Sequence, residues 1–271
     1  MPELPEVQTI VDDLQKELPG RRFLGVEVRW SRSIAAPGPH QFERLLIGRS
    51  VESLGRRGKY ILLRLSGGHT LIVHLRMTGA LLLGPCAEDS FARVIFTLDD
   101  GSYLTFRDIR KFGRLWLVSD ESAVLGTLGQ EPLSADLSAA DFARMLRERR
   151  GALKPLLLDQ RFLAGIGNIY VDESLFEAGL HPMRLATSLN ADEAERLYHA
   201  VRAVLQRAIQ NRGTSFRDYV DGFGRAGGNV PALRAYGRAG QPCLRCGTRI
   251  ERTVVAQRGT FYCPRCQRPG A

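Results

Sequence analysis

Apolar residues recur along this chain with two different periods. Val7, Ile10, Val11, Leu14 and Leu18 follow the i, i+3, i+4, i+7 spacing of one helical face. Residues 6–18 therefore predict an amphipathic helix, with Pro5 in its first turn and Pro19-Gly20 ending it. From 22 to 118 the texture becomes short strands parted by Gly or Asp turns. They include Val26 to Trp30, Tyr60 to Leu65, Thr70 to Leu75, Val94 to Leu98, Tyr103 to Phe106 and Leu115 to Val118, with a hairpin turn at Asp100-Gly101. About eight such strands behind one helix predict a β-sandwich or barrel.

Residues 119–137 carry Ser, Gly, Glu and Pro without periodicity and read as a linker. Beyond it the helical period returns. Ser138 and Asp141 form a capping-box start for Phe142, Met145 and Leu146. A short helix follows at 153–159, a helix capped by Asn168 runs to Ala178, and a longer one spans 191–211. The segment 213–229 holds Gly213, Gly222, Gly224, Gly227 and Gly228, which predicts a mobile loop. The whole is a multidomain α+β chain.

Composition narrows the class. With 271 residues, 44% hydrophobic and 25% charged, the chain is globular, and its length suggests two domains. No apolar run approaches the ~18–20 residues of a membrane span, and M-P-E-L-P-E lacks the features of a secretion signal. An intracellular, cytoplasmic protein is expected. The net charge is +9, and it is concentrated: residues 211–271 hold eleven Arg, no Lys and three acids. A basic segment of this kind is the footprint of a polyanion such as nucleic acid, or a surface kept basic for solubility. Only four of the 38 basic residues are lysines: Lys16, Lys59, Lys111 and Lys154.

Four of the five cysteines pair by spacing. Cys243-x2-Cys246, then sixteen residues, then Cys263-x2-Cys266 is the pattern of a four-thiolate zinc site. Redox dithiols are the alternative, and Cys86 is left over. Four ligands close the coordination shell, so one Zn2+ here would be structural. The other chemistry is at the chain start. Removal of Met1 exposes Pro2 as a secondary amine, and a free α-amino group titrates near pH ~8. Attack on a sugar C1′ then gives an iminium, an electron sink for eliminations. Glu3 and Glu6 stand beside it for proton transfer and positioning.

The sequence resembles the bacterial formamidopyrimidine-DNA glycosylases, repair enzymes that excise 8-oxoguanine and ring-opened purines. The resemblance rests on P-E-L-P-E-V at 2–7, G-K-Y at 58–60, H-L-R-M-T-G at 74–79 and R-D-I-R-K-F-G at 107–113. It continues through A-L-K-P at 152–155, G-I-G-N-I-Y-V-D-E at 165–173, Y-G-R at 236–238 and F-Y-C-P-R-C at 261–266. It implies a β-sandwich catalytic domain at 1–118, the linker at 119–137, a helix–two-turn–helix domain at 138–230 with a lesion loop at 213–229, and a zinc finger at 237–271. It further implies a monomer acting on damaged double-stranded DNA, associated with the nucleoid.

Residue roles follow from the same resemblance. Pro2 attacks C1′, Glu3 is the general acid, and β- then δ-elimination removes the sugar. Lys59 matches a lysine of phosphate contact and β-elimination. Glu6 matches a second active-site acid, or else stabilises the helix start. Met77, Arg110 and Phe112 match the trio that fills the stack after base flipping. Lys154 and Asn168 match phosphate contacts, and His74 and Arg150 stand among the DNA-binding residues. Arg258 matches an arginine that grips phosphate and aids the second elimination. At Arg93 relatives commonly carry histidine, and loop 217–226 departs from the family pattern, which leaves base preference less defined than chemistry. Two rivals stand beside this reading. One is the pyrimidine-directed sister, endonuclease VIII, against which Leu4 and the Met77/Arg110/Phe112 trio argue. The other is a zinc-ribbon DNA-binding protein without catalysis, against which Pro2, Glu3 and Lys59 argue.

Overall fold

The computed structural model describes residues 1–84 and 89–269, so Cys86 lies outside the described residues. The chain forms two compact units, Met1–Thr127 with Asn211–Gly228, and Leu128–Gln210 with Asn229–Ala271.

The first unit begins with helix α1 (Leu4–Leu14), whose apolar stripe of Val7, Ile10, Val11 and Leu14 is buried. The helix starts two residues earlier than its apolar period predicts, because Glu3 caps it. It ends at Leu14, and a turn then carries Leu18 into the core. Among the described residues nine strands follow: β1 (Phe23–Val28), β2 (Ile34–Ala36), β3 (Val51–Arg57), β4 (Tyr60–Leu65), β5 (His69–His74), β6 (Gly79–Gly84), β7 (Ala92–Leu98), β8 (Tyr103–Asp108) and β9 (Arg114–Val118). They form two sheets, β1-β7-β8-β6 and β2-β9-β5-β4-β3. Only β2–β9 is parallel among the paired strands described. Period-2 alternation is visible in β8 and β9, whose Leu104, Phe106, Leu115 and Leu117 face inward. Asp100-Gly101 turns β7 into β8, as the sequence predicts, with Gly101 at φ 84°.

One helix and the division of the linker escape the sequence reading, and β2, β3 and β6 are not among the strands it names. Helix α2 (Pro39–Leu46) lies within the strand-rich stretch. It buries only Phe42 and Leu46, too few positions to set a period, and Phe42 reaches Phe96 with ring centroids 6.3 Å apart. The linker divides: α3 (Ser122–Leu125) belongs to the first unit, while residues from 128 onward belong to the second. There Gly129 donates to the Gln160 carbonyl at 2.9 Å, and Arg202 grips the carbonyls of Pro132 and Ser134.

The second unit is built on α4 (Ala139–Arg147), α5 (Leu153–Leu158), α6 (Asn168–Ala178) and α7 (Ala191–Gln210), followed by hairpin β10 (Glu251–Val255) and β11 (Arg258–Tyr262). Ser138 caps α4, its Oγ accepting the Asp141 N–H at 3.1 Å. Among the described residues no helix is long and apolar enough to cross a membrane.

The glycine-rich segment is more anchored than its composition predicts. Tyr219 joins the core of the first unit, and Thr214, Asp221 and Gly222 are buried. Asp221 ion-pairs with Arg212 and, at 2.9 Å, with Arg225, and Arg212 also binds Asp13 of α1 at 2.7 Å. The glycines supply bends, as Gly213 at φ 82° does against the Tyr219 ring, while charge and one aromatic residue fix the segment. Its exposed residues are Phe216 to Asp218, Phe223 to Ala226 and Gly228.

Candidate functional site

In the first unit the chain start is held from within. Glu3 and Glu6 form a reciprocal capping box: each side chain takes the other's backbone N–H, the Glu3 N–H reaching Glu6 Oε2 at 2.8 Å. Glu6 Oε1 accepts the Thr214 N–H at 2.8 Å. Pro2, Glu3 and Glu6 are all buried, whereas Met1 before them is exposed. Of the two roles open to Glu6, the geometry favours support: both carboxylate oxygens hold backbone N–H groups, one at the helix start and one in segment 211–228.

Lys59 lies in a two-residue turn between β3 and β4, where Arg57 pairs with Tyr60. Gly58 takes φ 55° at the first turn position, which favours glycine in such hairpins. Arg56 ties this turn to α1, donating to Gln8 Oε1 at 3.0 Å and to the Gly58 carbonyl at 2.9 Å. Lys59 is 6% exposed. Its charge acts on His74, which lies on β5 beneath Tyr60, with ring centroids 4.5 Å apart. Burial first, then Arg76 and Lys59, push the His74 pKa down to about 3. The ring is neutral at cellular pH, and its Nδ1 accepts the Arg76 N–H at 3.0 Å. His74 thus braces the backbone next to Met77 as an uncharged group.

Met77, Arg110 and Phe112 project from two adjacent turns. Met77 is 39% exposed and Phe112 49% exposed. The Arg110 guanidinium lies over the Phe112 ring, 4.8 Å from its centroid. Arg93 on β7 donates to the Asp108 carbonyl at 2.7 Å and the Ser90 carbonyl at 3.1 Å, at the base of the same loop.

The second unit rearranges the sequence expectations for α5 and α6. Lys154 has 0% exposure, and its ammonium sits 2.6 Å from Asp172 and 3.1 Å from the Gly259 carbonyl. A group so enclosed does not serve as a surface phosphate ligand. Its work is to join α5, α6 and the β10–β11 hairpin. Asp172 also accepts the Phe261 N–H at 2.9 Å, and burial pushes its pKa up to about 7 against the pull of Lys154. Asn168 is the first helical residue of α6, with Gly167 at the cap, and its amide donates to the same Gly259 carbonyl at 2.9 Å. Arg150, before α5, and Arg258, which opens β11, are exposed. The hairpin turn before Arg258 uses Ala256 at φ 48° and Gln257 at φ 59°, left-handed conformations that favour glycine or asparagine.

Ligand atoms of Cys243, Cys246, Cys263 and Cys266 lie within 4.8 Å of one another. Four sulfurs at this spacing, Cys243 and Cys263 buried, suit one structural zinc and leave no coordination position for substrate. Sequence reasoning misses the residues behind these groups: Gln8, Arg56, Thr78, Asp108, Asp172 and Glu173. Glu173 receives three backbone N–H groups, from Arg234, Ala235 and Tyr236. Asp108, Asp172 and Glu173 stand inside the recognised motifs, but a motif does not say which members face outward.

Matches to known proteins cover the chain in order. Residues 1–115 match the formamidopyrimidine-DNA glycosylase N-terminal domain, and 128–220 match the H2TH domain of the same enzyme. The chain belongs to the formamidopyrimidine-DNA glycosylase family. Residues 240–269 match a zinc finger found in this family and in isoleucyl-tRNA synthetase. A formamidopyrimidine-DNA glycosylase from Roseiflexus sp. (strain RS-1) is 49% identical, over 99% of this chain and 100% of the relative. One from Heliobacterium modesticaldum is 50% identical over the same shares. The Lactococcus lactis family member bound to DNA containing Fapy-dG superposes with TM-score 0.92, at 33% identity over 98% of this chain and 100% of its own. The Thermus thermophilus member gives 0.89, at 41% identity over 100% of both chains. The zinc ligands and the α+β architecture are thus those of the family, as the sequence resemblance implies, and family membership makes the chain a bifunctional DNA glycosylase and lyase.

Proposed function

We propose that this chain is a base-excision repair glycosylase that removes oxidised purines from duplex DNA and then cleaves the strand. The carrying observation is the chain start: an intact Pro-Glu pair, buried, and fixed through Glu6 to α1 and to segment 211–228. Once Met1 is removed, the Pro2 nitrogen is a secondary amine held at a fixed position. It bonds to C1′ of the extruded nucleotide while the C1′–base bond breaks, and Glu3 supplies the proton the departing base requires. The Pro2 nitrogen then gives up its proton, the C1′–O4′ bond breaks as O4′ takes up a proton, and the iminium so formed acidifies the C2′ proton. Loss of that proton breaks the C3′–oxygen bond, and a second elimination breaks the C5′–oxygen bond.

The remaining residues bind and orient. Lys59, beside neutral His74, contacts phosphate and assists the first elimination. Met77, Arg110 and Phe112 fill the vacated stack, the aromatic ring replacing stacking and the guanidinium offering hydrogen bonds to the orphaned base. Arg93, Arg150, Asn168 and Arg258 contact the DNA backbone, which carries position more than sequence. Zinc supplies structure alone, holding the fold from which Arg258 projects. Lys154 and Glu6 enter as supports. The enzyme acts as a monomer in the cytoplasm, on the nucleoid.

Single-turnover excision from matched duplexes carrying 8-oxoguanine opposite cytosine, or an oxidised pyrimidine opposite adenine, tests the substrate class. The purine duplex is expected to react faster by at least about tenfold, a difference of about 1.4 kcal/mol in barrier. Equal or reversed preference assigns the chain to oxidised pyrimidines. Binding without any excision makes it a zinc-ribbon DNA-binding protein.

A further inference from the structure

Asp108 ends β8 with 0% exposure, yet it is assigned no part in the reaction. Its Oδ1 accepts the Thr78 hydroxyl at 2.6 Å and the Arg110 N–H at 3.2 Å, and its Oδ2 accepts the Gly113 N–H at 2.7 Å. The Arg110 N–H also reaches Thr78 Oγ1 at 3.0 Å. One carboxylate therefore grips both ends of the loop that carries Arg110 and Phe112. Through Thr78 it grips the neighbouring turn that carries Met77.

The surroundings leave these turns little freedom. Arg76 and Lys111 both adopt left-handed backbone, at φ 55° and 61°. A Cβ on Gly79 would lie 2.3 Å from the Leu75 carbonyl oxygen, and one on Gly113 would lie 2.4 Å from the Phe106 ring. Lys111 turns away from Arg110 and Phe112, its ammonium 4.2 Å from the centre of the Trp30 ring. Uncommon backbone of this kind persists where surrounding contacts over-determine it. The Asp108–Thr78 pair provides such contacts for both turns at once.

We infer that Thr78 and Asp108 are positioning residues that hold Met77, Arg110 and Phe112 as one preformed wedge before DNA arrives. The inference rests on the wedge reading given above and adds its cause. A wedge ordered in advance does not lose conformational freedom on each insertion, so opening the stack is faster. Neither residue touches the reacting atoms.

The test uses full-length enzyme in which Thr78→Val removes the hydroxyl at constant shape and Thr78→Ser restores it. Excision is measured on an 8-oxoguanine:cytosine duplex with 2-aminopurine next to the lesion, whose fluorescence reports unstacking. Cleavage of a single-stranded abasic oligonucleotide, which needs no wedge, is measured in parallel. Thr78→Val is expected to slow excision and the unstacking signal together by about tenfold, the worth of one hydrogen bond to a charged group. Thr78→Ser should recover both, and single-strand cleavage should be unchanged. Asp108→Asn, which keeps the shape but loses one acceptor, should repeat the pattern if Thr78→Val does not fold. The inference is overturned if Thr78→Val matches the parent on duplex, if Thr78→Ser is as slow as Thr78→Val, or if single-strand cleavage falls in proportion. Met77→Ala separates the two levels: slow Met77→Ala with normal Thr78→Val sinks this inference alone. Normal rates in both sink the wedge reading itself.

Discussion

Both units present an arginine from a turn with left-handed non-glycine backbone, but they hold that turn by different means. In the first, Arg110 stands beside Lys111 at φ 61°, and the turn is tied by neutral donors to one buried carboxylate, Asp108. In the second, Arg258 follows Ala256 and Gln257, both left-handed, and the hairpin is tied by the ammonium of Lys154, the amide of Asn168 and the zinc cysteines. The first device is short-range, made within neighbouring strand ends. The second spans α5, α6 and the finger, so more of that unit's fold depends on it. Buried charge is the lesson of the contrast. Asp108 is satisfied by N–H and O–H donors, whereas Asp172 requires Lys154, and losing either partner strands a charge.

Zinc removal should break this comparison most deeply. Chelation, or Cys263→Ser, is expected to unfold the finger, since structural zinc provides about 10 kcal/mol or more of folding free energy in such modules. Duplex binding measured by anisotropy should then nearly vanish, while circular dichroism retains the sheets of the first unit. Lys154→Ala comes next. It leaves Asp172 buried without its cation and should destabilise by about 3–5 kcal/mol in a denaturant titration. Replacing the pair together, by Lys154→Met and Asp172→Leu, should cost less than the single change.

His74 sharpens the contrast through pH. Its folded pKa of about 3 lies below the ordinary 6.5, so its contribution to stability is full above pH 6.5. That contribution is lost as pH falls from 6.5 toward 3, by up to about 1.4 kcal/mol per pH unit. His74→Gln should flatten this part of the stability–pH curve. The smallest effect belongs to the finger turn. Ala256→Asn with Gln257→Gly suits the left-handed backbone and should raise stability by about 1 kcal/mol, read as a higher denaturation midpoint.

The period of the apolar residues is enough to find α1, most strands, α4 and α7, because those elements bury a regular face, whereas α6, buried almost throughout, is found from its start signal. It misses α2, which buries two side chains, and misreads 213–229, where Tyr219, Asp221 and Arg212 supply anchors that glycine content conceals. Cysteine spacing points to the zinc site, and motif resemblance nominates Pro2, Glu3 and Lys59 for the chemistry proposed above. It does not say that Lys154 turns inward, because orientation is decided by a partner, Asp172, eighteen residues away. Asp108 stands in plain view inside R-D-I-R-K-F-G, silent until its contacts to Thr78, Arg110 and Gly113 are seen.

The chemistry turns on which atom of the protein bonds to the sugar. Enzyme incubated with an 8-oxoguanine duplex and borohydride, then digested and weighed peptide by peptide, answers it directly. A reduced adduct is expected on the N-terminal peptide, lacking Met1, with the added mass on Pro2. An adduct on Lys59 or any other lysine, or full trapping by a chain that retains Met1, would contradict it.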